Sequence, residues 1–210
     1  MPAGDAQLFK LKDGKELVLA SSSPRRKEFF SSLGLPFTAF YPQSEPLPDS
    51  MWKPHEYALL AARSKAIECR NNFSGCFSCI IGADTVVVLK NQILGKPKNH
   101  DEALEMLLAL NGHSCNVISA ACLIFQSGEI LDLLDMAEVV FHHWSEEILA
   151  SYAHDREPLD KAGAFAIQGK GAFLINRIEG SYTTVVGIPG AQIVTSLLSK
   201  NVICPASSYN

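Results

Sequence analysis

The run Cys79-Ile80-Ile81-Gly82-Ala83-Asp84-Thr85-Val86-Val87-Val88-Leu89 constrains this chain more than any other segment. It is apolar and rich in β-branched residues, so it reads as a strand. A carboxylate interrupts it near the middle, and no apolar run in the chain then approaches the length of a membrane span. A buried carboxylate costs on the order of several kcal/mol unless a partner or a metal takes it. Asp84 therefore points to a site, as a ligand for Mg²⁺ or as a base for water. The alternative is a strand edge where Asp84 caps a turn.

The elements around this strand set the fold class. Residues 17–20 read as a short buried strand, and Ser21-Ser22-Ser23 as a turn. A helix follows, with Ser23 as N-cap, Pro24 at its first position and Gly34 as its stop. A strand is expected over 37–41, a loop over 43–53 and a helix over 54–70. That helix places Tyr57, Leu60, Ala61, Ser64 and Ile67 near one face. Lys90-Asn91-Gln92 reads as a tight turn before Ile93-Leu94. Asn99 caps a helix with Glu102 as capping-box partner, and Gly112 ends it. Residues 115–125 and 130–141 form a hairpin by length, and a short helix opens at Ser145. Residues 157–171 are a glycine-containing loop, 172–178 and 182–186 are strands, and Pro189 starts the last helix. Strands and helices mixed with a hairpin argue an α/β protein whose central mixed sheet is flanked by helices. Residues 1–15 read as a flexible extension, 16–200 as one domain and 201–210 as a tail.

The 210 residues carry a net charge of -4. A broad nucleic-acid surface needs a basic excess, so nucleic acid is not an expected partner. A small anion needs only a few local cations. Cys76 and Cys79 form a lone C-x-x-C without the second pair or histidines of a zinc site. The cysteines fit the core of a protein in a reducing compartment. No secretory signal is visible, so a cytoplasmic location is expected, without a membrane partner.

Three further segments carry chemistry. Ser21-Ser22-Ser23-Pro24-Arg25-Arg26 feeds hydroxyls and backbone N–H groups into a helix N-terminus, which favours anions. Two arginines in a first turn oppose the helix dipole, and a bound phosphate would explain them. The alternative is a capped surface helix with solvated arginines. In Gly95-Lys96-Pro97 the backbone sets where the lysine lies, near Asp84 in sequence. In Pro158-Leu159-Asp160-Lys161-Ala162-Gly163, followed by Ile167-Gln168-Gly169, small residues allow close approach to a ligand. Gln168 offers both a donor and an acceptor to a base edge. A glycine-rich crossover loop would have the same composition. His142 and His143 are adjacent on a strand and face opposite sides, so they are poor candidates for one metal. No Walker loop, serine-hydrolase elbow or dinucleotide fingerprint occurs.

Taken in order, these segments resemble the Maf family of nucleotide pyrophosphatases, over about residues 17–198. The resemblance implies an elongated, two-lobed fold with a cleft, of the Maf and ITPase-like kind. It implies hydrolysis of a nucleoside triphosphate to the monophosphate and pyrophosphate, with a divalent cation, Mg²⁺ or Mn²⁺. It places Asp84 at the proton acceptor and Ser21, Arg25, Arg26, Lys65, Lys96 and Lys161 around the triphosphate. Arg25, Thr85 and Gln168 fall on the positions that track substrate choice, and they look like the branch that prefers dTTP and UTP. The family's metal-binding glutamate follows the second strand. Here that stretch reads Gln43-Ser44-Glu45-Pro46, with Glu45 one position early, so Asp84 and Glu45 are the candidate metal ligands. The resemblance also allows a homodimer. A nucleotide-binding regulator of septum formation with little turnover is the alternative from another class, and a house-cleaning enzyme for non-standard purines is a third.

Overall fold

The computed structural model describes residues 7–43, 46 and 52–206. β1 (Phe9–Leu11), β2 (Glu16–Ala20), α1 (Pro24–Ser32) and β3 (Thr38–Phe40) lead to α2 (Pro54–Asn72) and β4 (Phe77–Leu89). β5 (Gln92–Leu94), α3 (His100–Leu110), β6 (Ser114–Phe125), β7 (Ile130–Phe141) and α4 (Glu146–Ala153) follow. Three short 3-10 turns, Glu157–Asp160, Ala162–Ala164 and Lys170–Leu174, precede β8 (Ile175–Glu179), α5 (Tyr182–Val186), α6 (Gly190–Ser199) and β9 (Ile203–Pro205).

The main sheet runs β3-β2-β4-β6-β7-β8, with β5 also on β4. β3 and β4 lie parallel to β2, and the remaining pairs are antiparallel, so the sheet is mixed as the element pattern predicts. The run around Asp84 is its longest strand. β4 changes neighbour partway along: its pairing with β2 ends at Ala20↔Gly82, and its pairing with β5 begins at Val87↔Leu94. β6 accompanies it on the other side throughout. Residues 83–86 thus face an open sheet edge among the described residues. That edge lies beyond the carboxyl ends of parallel β2 and β3, where α/β sheets bind ligands.

Apolar layers cover both faces. Leu17, Leu19, Phe30, Ile81, Leu123, Ile188, Ile193 and Leu197 join α1 and α6 to one side. Val18, Ala20, Ile80, Val86, Ile118 and Ile124 meet α2 on the other. A third cluster joins Val87, Leu107, Leu110, Val117, Val139, Phe141 and Phe165 around α3, α4 and the late turns.

The contact with α2 departs from the expected face. Ala58, Ala61, Ala62, Ala66 and Cys69 are fully buried, whereas Leu60 and Ile67 are 37% and 40% exposed. A Cβ on Gly82 would stand 2.3 Å from the Ala62 carbonyl oxygen and 2.6 Å from the Ala66 nitrogen. Helix and strand backbones approach so closely that only alanine-sized side chains fit between them, and the longer aliphatic side chains turn outward.

Other expectations need correction. Residues 182–186 form helix α5, not a strand. The threonine hydroxyls are taken up by tertiary contacts: Thr184 Oγ1 donates to Asp135 at 2.5 Å, and Thr183 Oγ1 accepts from Gly190 N–H at 3.3 Å. Those contacts override the β-branched preference for extended backbone. The strand expected over 172–178 begins as a 3-10 turn and becomes β8 only at Ile175. The segment read as an extension carries β1, which pairs antiparallel with β9 across Phe9↔Pro205 and Leu11↔Ile203. Asn99 does cap α3, accepting from Glu102 N–H at 2.8 Å, but the Glu102 carboxylate takes Lys98 N–H rather than closing the box. Among the described residues no helix is long and apolar enough to cross a membrane.

Candidate active site

Alternation along β4 sends Asp84 towards α2 and Thr85 towards the opposite face. Both nevertheless line one cavity, because the open edge at 83–86 lets it reach around the strand. Asp84 is 6% exposed. Lys65 Nζ, from α2, donates to its Oδ1 at 2.7 Å. The carboxylate that sequence reasoning marks as needing a partner has one, and one of its two oxygens is committed to it.

Ser21 follows β2 and is buried. Its Oγ accepts Ser23 N–H at 3.2 Å. Ser23 occupies the N-cap position of α1 but makes no side-chain cap bond, so the first turn keeps donors for an anion. Arg25 and Arg26 diverge. Arg25 faces the cavity, and burial pushes its guanidinium below the ordinary arginine value, against the opposing charges of Asp160 and Glu157. Arg26 is buried, and its guanidinium meets three protein acceptors. Nε donates to Gly187 O at 2.8 Å, Nη1 to Ser21 Oγ at 3.2 Å and Nη2 to Thr85 Oγ1 at 3.0 Å. It borders the cavity as the brace that joins the β2 turn, β4 and the end of α5.

The third and fourth constellations meet. Gly163 N–H donates to Gly95 O at 3.0 Å, which docks the Lys96 loop on the late turns. Gly163 sits at φ 69°, a conformation that favours glycine, and a Cβ there would lie 3.0 Å from Val87 Cγ1. Lys96 and Lys161 both line the cavity, and Lys161 pairs with Asp160. Glu157 organises the rest of the loop. It accepts N–H from Gly171 at 2.8 Å and Lys170 at 3.0 Å, and the Tyr152 hydroxyl at 2.9 Å. Burial pushes the Tyr152 hydroxyl up, and the Glu157 carboxylate beside it pushes further.

The cavity holds about 520 Å³, a size suited to a small molecule. Arg25, Arg26, Lys65, Lys96 and Lys161 border it against two described carboxylates, Asp84 and Asp160. It is a cationic pocket in a chain of net charge -4. Ser21, Arg25, Arg26, Lys65, Asp84, Thr85, Lys96 and Lys161 are all brought together there. Gln168 is not on the lining, although its neighbour Ile167 is. Glu45 lies outside the described residues. Sequence reasoning missed Ser119 and Gly187, which contact Thr85 and Arg26 from behind, and Thr184, whose carbonyl accepts from Ser119. Ser119 carries the same signal as Asp84, a polar residue inside an apolar strand.

The C-x-x-C does not form a site: Cys76 is exposed and Cys79 buried. Burial pushes the Cys69, Cys115 and Cys122 thiols up to about 12, as for inert core residues.

The family model described as Maf-like protein matches residues 16–200. The chain belongs to the Maf family. Among curated relatives it is 41% identical over 195 residues to the dTTP/UTP pyrophosphatase of Oleidesulfovibrio alaskensis, covering 91% of this chain and 88% of that protein. It is 42% identical over 188 residues to the dTTP/UTP pyrophosphatase of Nitratidesulfovibrio vulgaris, covering 89% of each. Among solved structures, the Staphylococcus aureus Ham1 protein matches 88% of this chain and 96% of that one, with TM-score 0.47 and 14% identity. The Maf signatures quoted from the sequence are thus the segments that line the cavity: the β2 turn, β4 at Asp84, the Lys96 loop and the late turns.

Proposed function

We propose that this Maf protein is a nucleoside triphosphate pyrophosphatase acting on dTTP and UTP in the cytoplasm. The observation that carries the reading is the cationic cavity closed around one buried carboxylate, Asp84, in an otherwise acidic chain. The relatives named dTTP/UTP pyrophosphatase, at about 40% identity over most of the chain, support the substrate class.

The triphosphate lies along the α1 N-terminus, with Arg25, Lys96 and Lys161 against its outer phosphates. Asp84, held through Oδ1 by Lys65, takes the proton of a water that attacks the α-phosphorus. The α–β bridging P–O bond breaks, and pyrophosphate leaves against Arg25 and Lys96. Most of the acceleration is positioning and electrostatics, as in phosphoryl transfer generally. No group of three His, Cys, Asp or Glu converges among the described residues. Mg²⁺ is commonly bound by one or two carboxylates together with substrate phosphates, so Asp84 would hold such an ion, with Glu45 as the proposed second ligand. Such an ion neutralises charge on the phosphates when bound.

The test is turnover of dTTP, UTP, CTP, 7-methyl-GTP and ITP with Mg²⁺ or Mn²⁺, scored as monophosphate and pyrophosphate. Selective turnover of dTTP and UTP is expected. Turnover of another nucleotide would keep the hydrolase and remove the pyrimidine assignment. No turnover of any would sink the reading.

A further inference from the structure

A polar row crosses three neighbouring strands behind the cavity. Thr85 on β4 stands opposite Ser119 on β6, which stands opposite Asp135 on β7. The β4–β6 pairs two positions away on the same face are apolar, Ala83 with Ala121 and Val87 with Val117. Ser119 is fully buried. Its Oγ lies 2.8 Å from Thr85 Oγ1 and donates to Thr184 O at 2.8 Å. Thr184, also fully buried, sends its hydroxyl to Asp135 Oδ2 at 2.5 Å. Thr85 Oγ1 reaches Gly187 O at 3.0 Å, and Arg26 Nε reaches the same oxygen at 2.8 Å. Ser119 to Thr184 O, Thr184 to Asp135 and Thr85 to Gly187 O tie residues 184–187 to the sheet. Between the tie points stand Val185 and Val186, which line the cavity.

Counting protons sharpens the role of the row. Thr85 and Ser119 own one hydroxyl hydrogen each, yet they serve three oxygen contacts: Gly187 O, Thr184 O and each other. Arg26 already donates to Thr85 Oγ1. The Thr85 hydroxyl therefore has no hydrogen left to donate into the cavity. It acts on a ligand through its shape and through what it holds in place.

We infer that Ser119, backed by Asp135, is a positioning residue that sets the Val185–Val186 wall and thereby nucleotide selection. The inference rests on the hydrolase reading above. Neither residue touches the cavity. The wall depends on them because α5 is a five-residue helix of β-branched and aromatic residues, which does not hold a helical turn unaided.

The experiment measures kcat and KM for dTTP, UTP, CTP and ITP, with melting temperature, in wild type, Ser119→Ala, Asp135→Ala and Asp135→Asn. Ser119→Ala is expected to raise KM for dTTP about tenfold, the size of one lost buried hydrogen bond, with kcat within about threefold. The preference for pyrimidine over ITP should narrow with it. Asp135→Ala should shift KM the same way by less, and Asp135→Asn, which keeps an oxygen acceptor for Thr184, should recover wild-type KM. Lowered melting temperatures with unchanged KM and unchanged nucleotide ranking would overturn the inference, as would a loss confined to kcat. If Ser119→Ala does not fold, the Asp135 pair, at the half-buried end of the row, decides on the same criteria. A wild type inactive on every nucleotide would overturn the hydrolase reading and this inference together, whereas an active wild type with unaffected variants would overturn only this one.

Discussion

The two ends of the cavity are built differently. Asp84, Thr85, Lys65 and Arg26 stand on β4, α2 and α1, and their partners are other side chains and carbonyls of regular elements. Residues 157–171 contain only short 3-10 turns, two of them with positive-φ residues at or beside them, Gly163 at 69° and Gly169 at 89°. One carboxylate, Glu157, gathers two N–H groups and a hydroxyl to hold that loop. The contrast separates an end carried by regular elements from an end carried by short turns and a single carboxylate. Cavity-lining loops are generally drawn from the less stable parts of a fold.

Asp84→Asn strikes the end carried by regular elements hardest. Pyrophosphate release should fall by about 10²–10⁴-fold, as expected for loss of a general base, while circular dichroism stays native. More than about a tenth of wild-type activity would refute the role given to Asp84.

Arg26→Lys and Arg25→Lys divide brace from ligand contact. Lysine cannot reproduce a fork that meets Gly187 O, Ser21 Oγ and Thr85 Oγ1 together. Arg26→Lys should lose roughly 2–4 kcal/mol in denaturant unfolding, as bonds from a charged donor are lost. Arg25→Lys should keep wild-type stability and raise KM. Equal destabilisation by both would erase the distinction between the two arginines.

Glu157→Gln tests the loop and gives the smallest effect, a KM increase of a few-fold at most. Burial alone would raise the Glu157 carboxyl, but N–H bonds from Gly171 and Lys170, the Tyr152 hydroxyl and the Lys161 charge outweigh it and hold it below its ordinary 4.5. A carboxyl lowered in the folded state contributes fully above its ordinary value, and that contribution fades as pH falls through the folded value. Hydrogen exchange at Lys170 and Gly171, corrected for the intrinsic rate, should therefore accelerate in wild type below about pH 4.5. In Glu157→Gln it should already be fast at neutral pH. Flat exchange in wild type would mean that Glu157 does not hold the loop.

The strands were legible because apolar runs bounded by polar turns have few alternatives: β2, β4 and the β6–β7 hairpin fall where those runs fall. The face of α2 was not, since nothing local in the helix tells that Gly82 draws it close enough to exclude Leu60 and Ile67. α5 was illegible for a related reason. Its β-branched residues favour a strand, and the acceptors that fold it, Asp135 above all, lie 49 residues away. Asp84 was found because a carboxylate in an apolar strand demands a partner. Ser119 makes the same demand more quietly, since a hydroxyl is a smaller burden than a charge.

Gly82 has a consequence beyond fold recognition. It pairs with Ala20 two residues before Asp84, and α2 bears on it through Ala62 and Ala66, the residues that bracket Lys65. The separation of ammonium and carboxylate is thus gauged by backbone seated on backbone. Side chains on the outer surface of α2 can drift over generations without altering that gauge, whereas a single methyl group at position 82 would reset it.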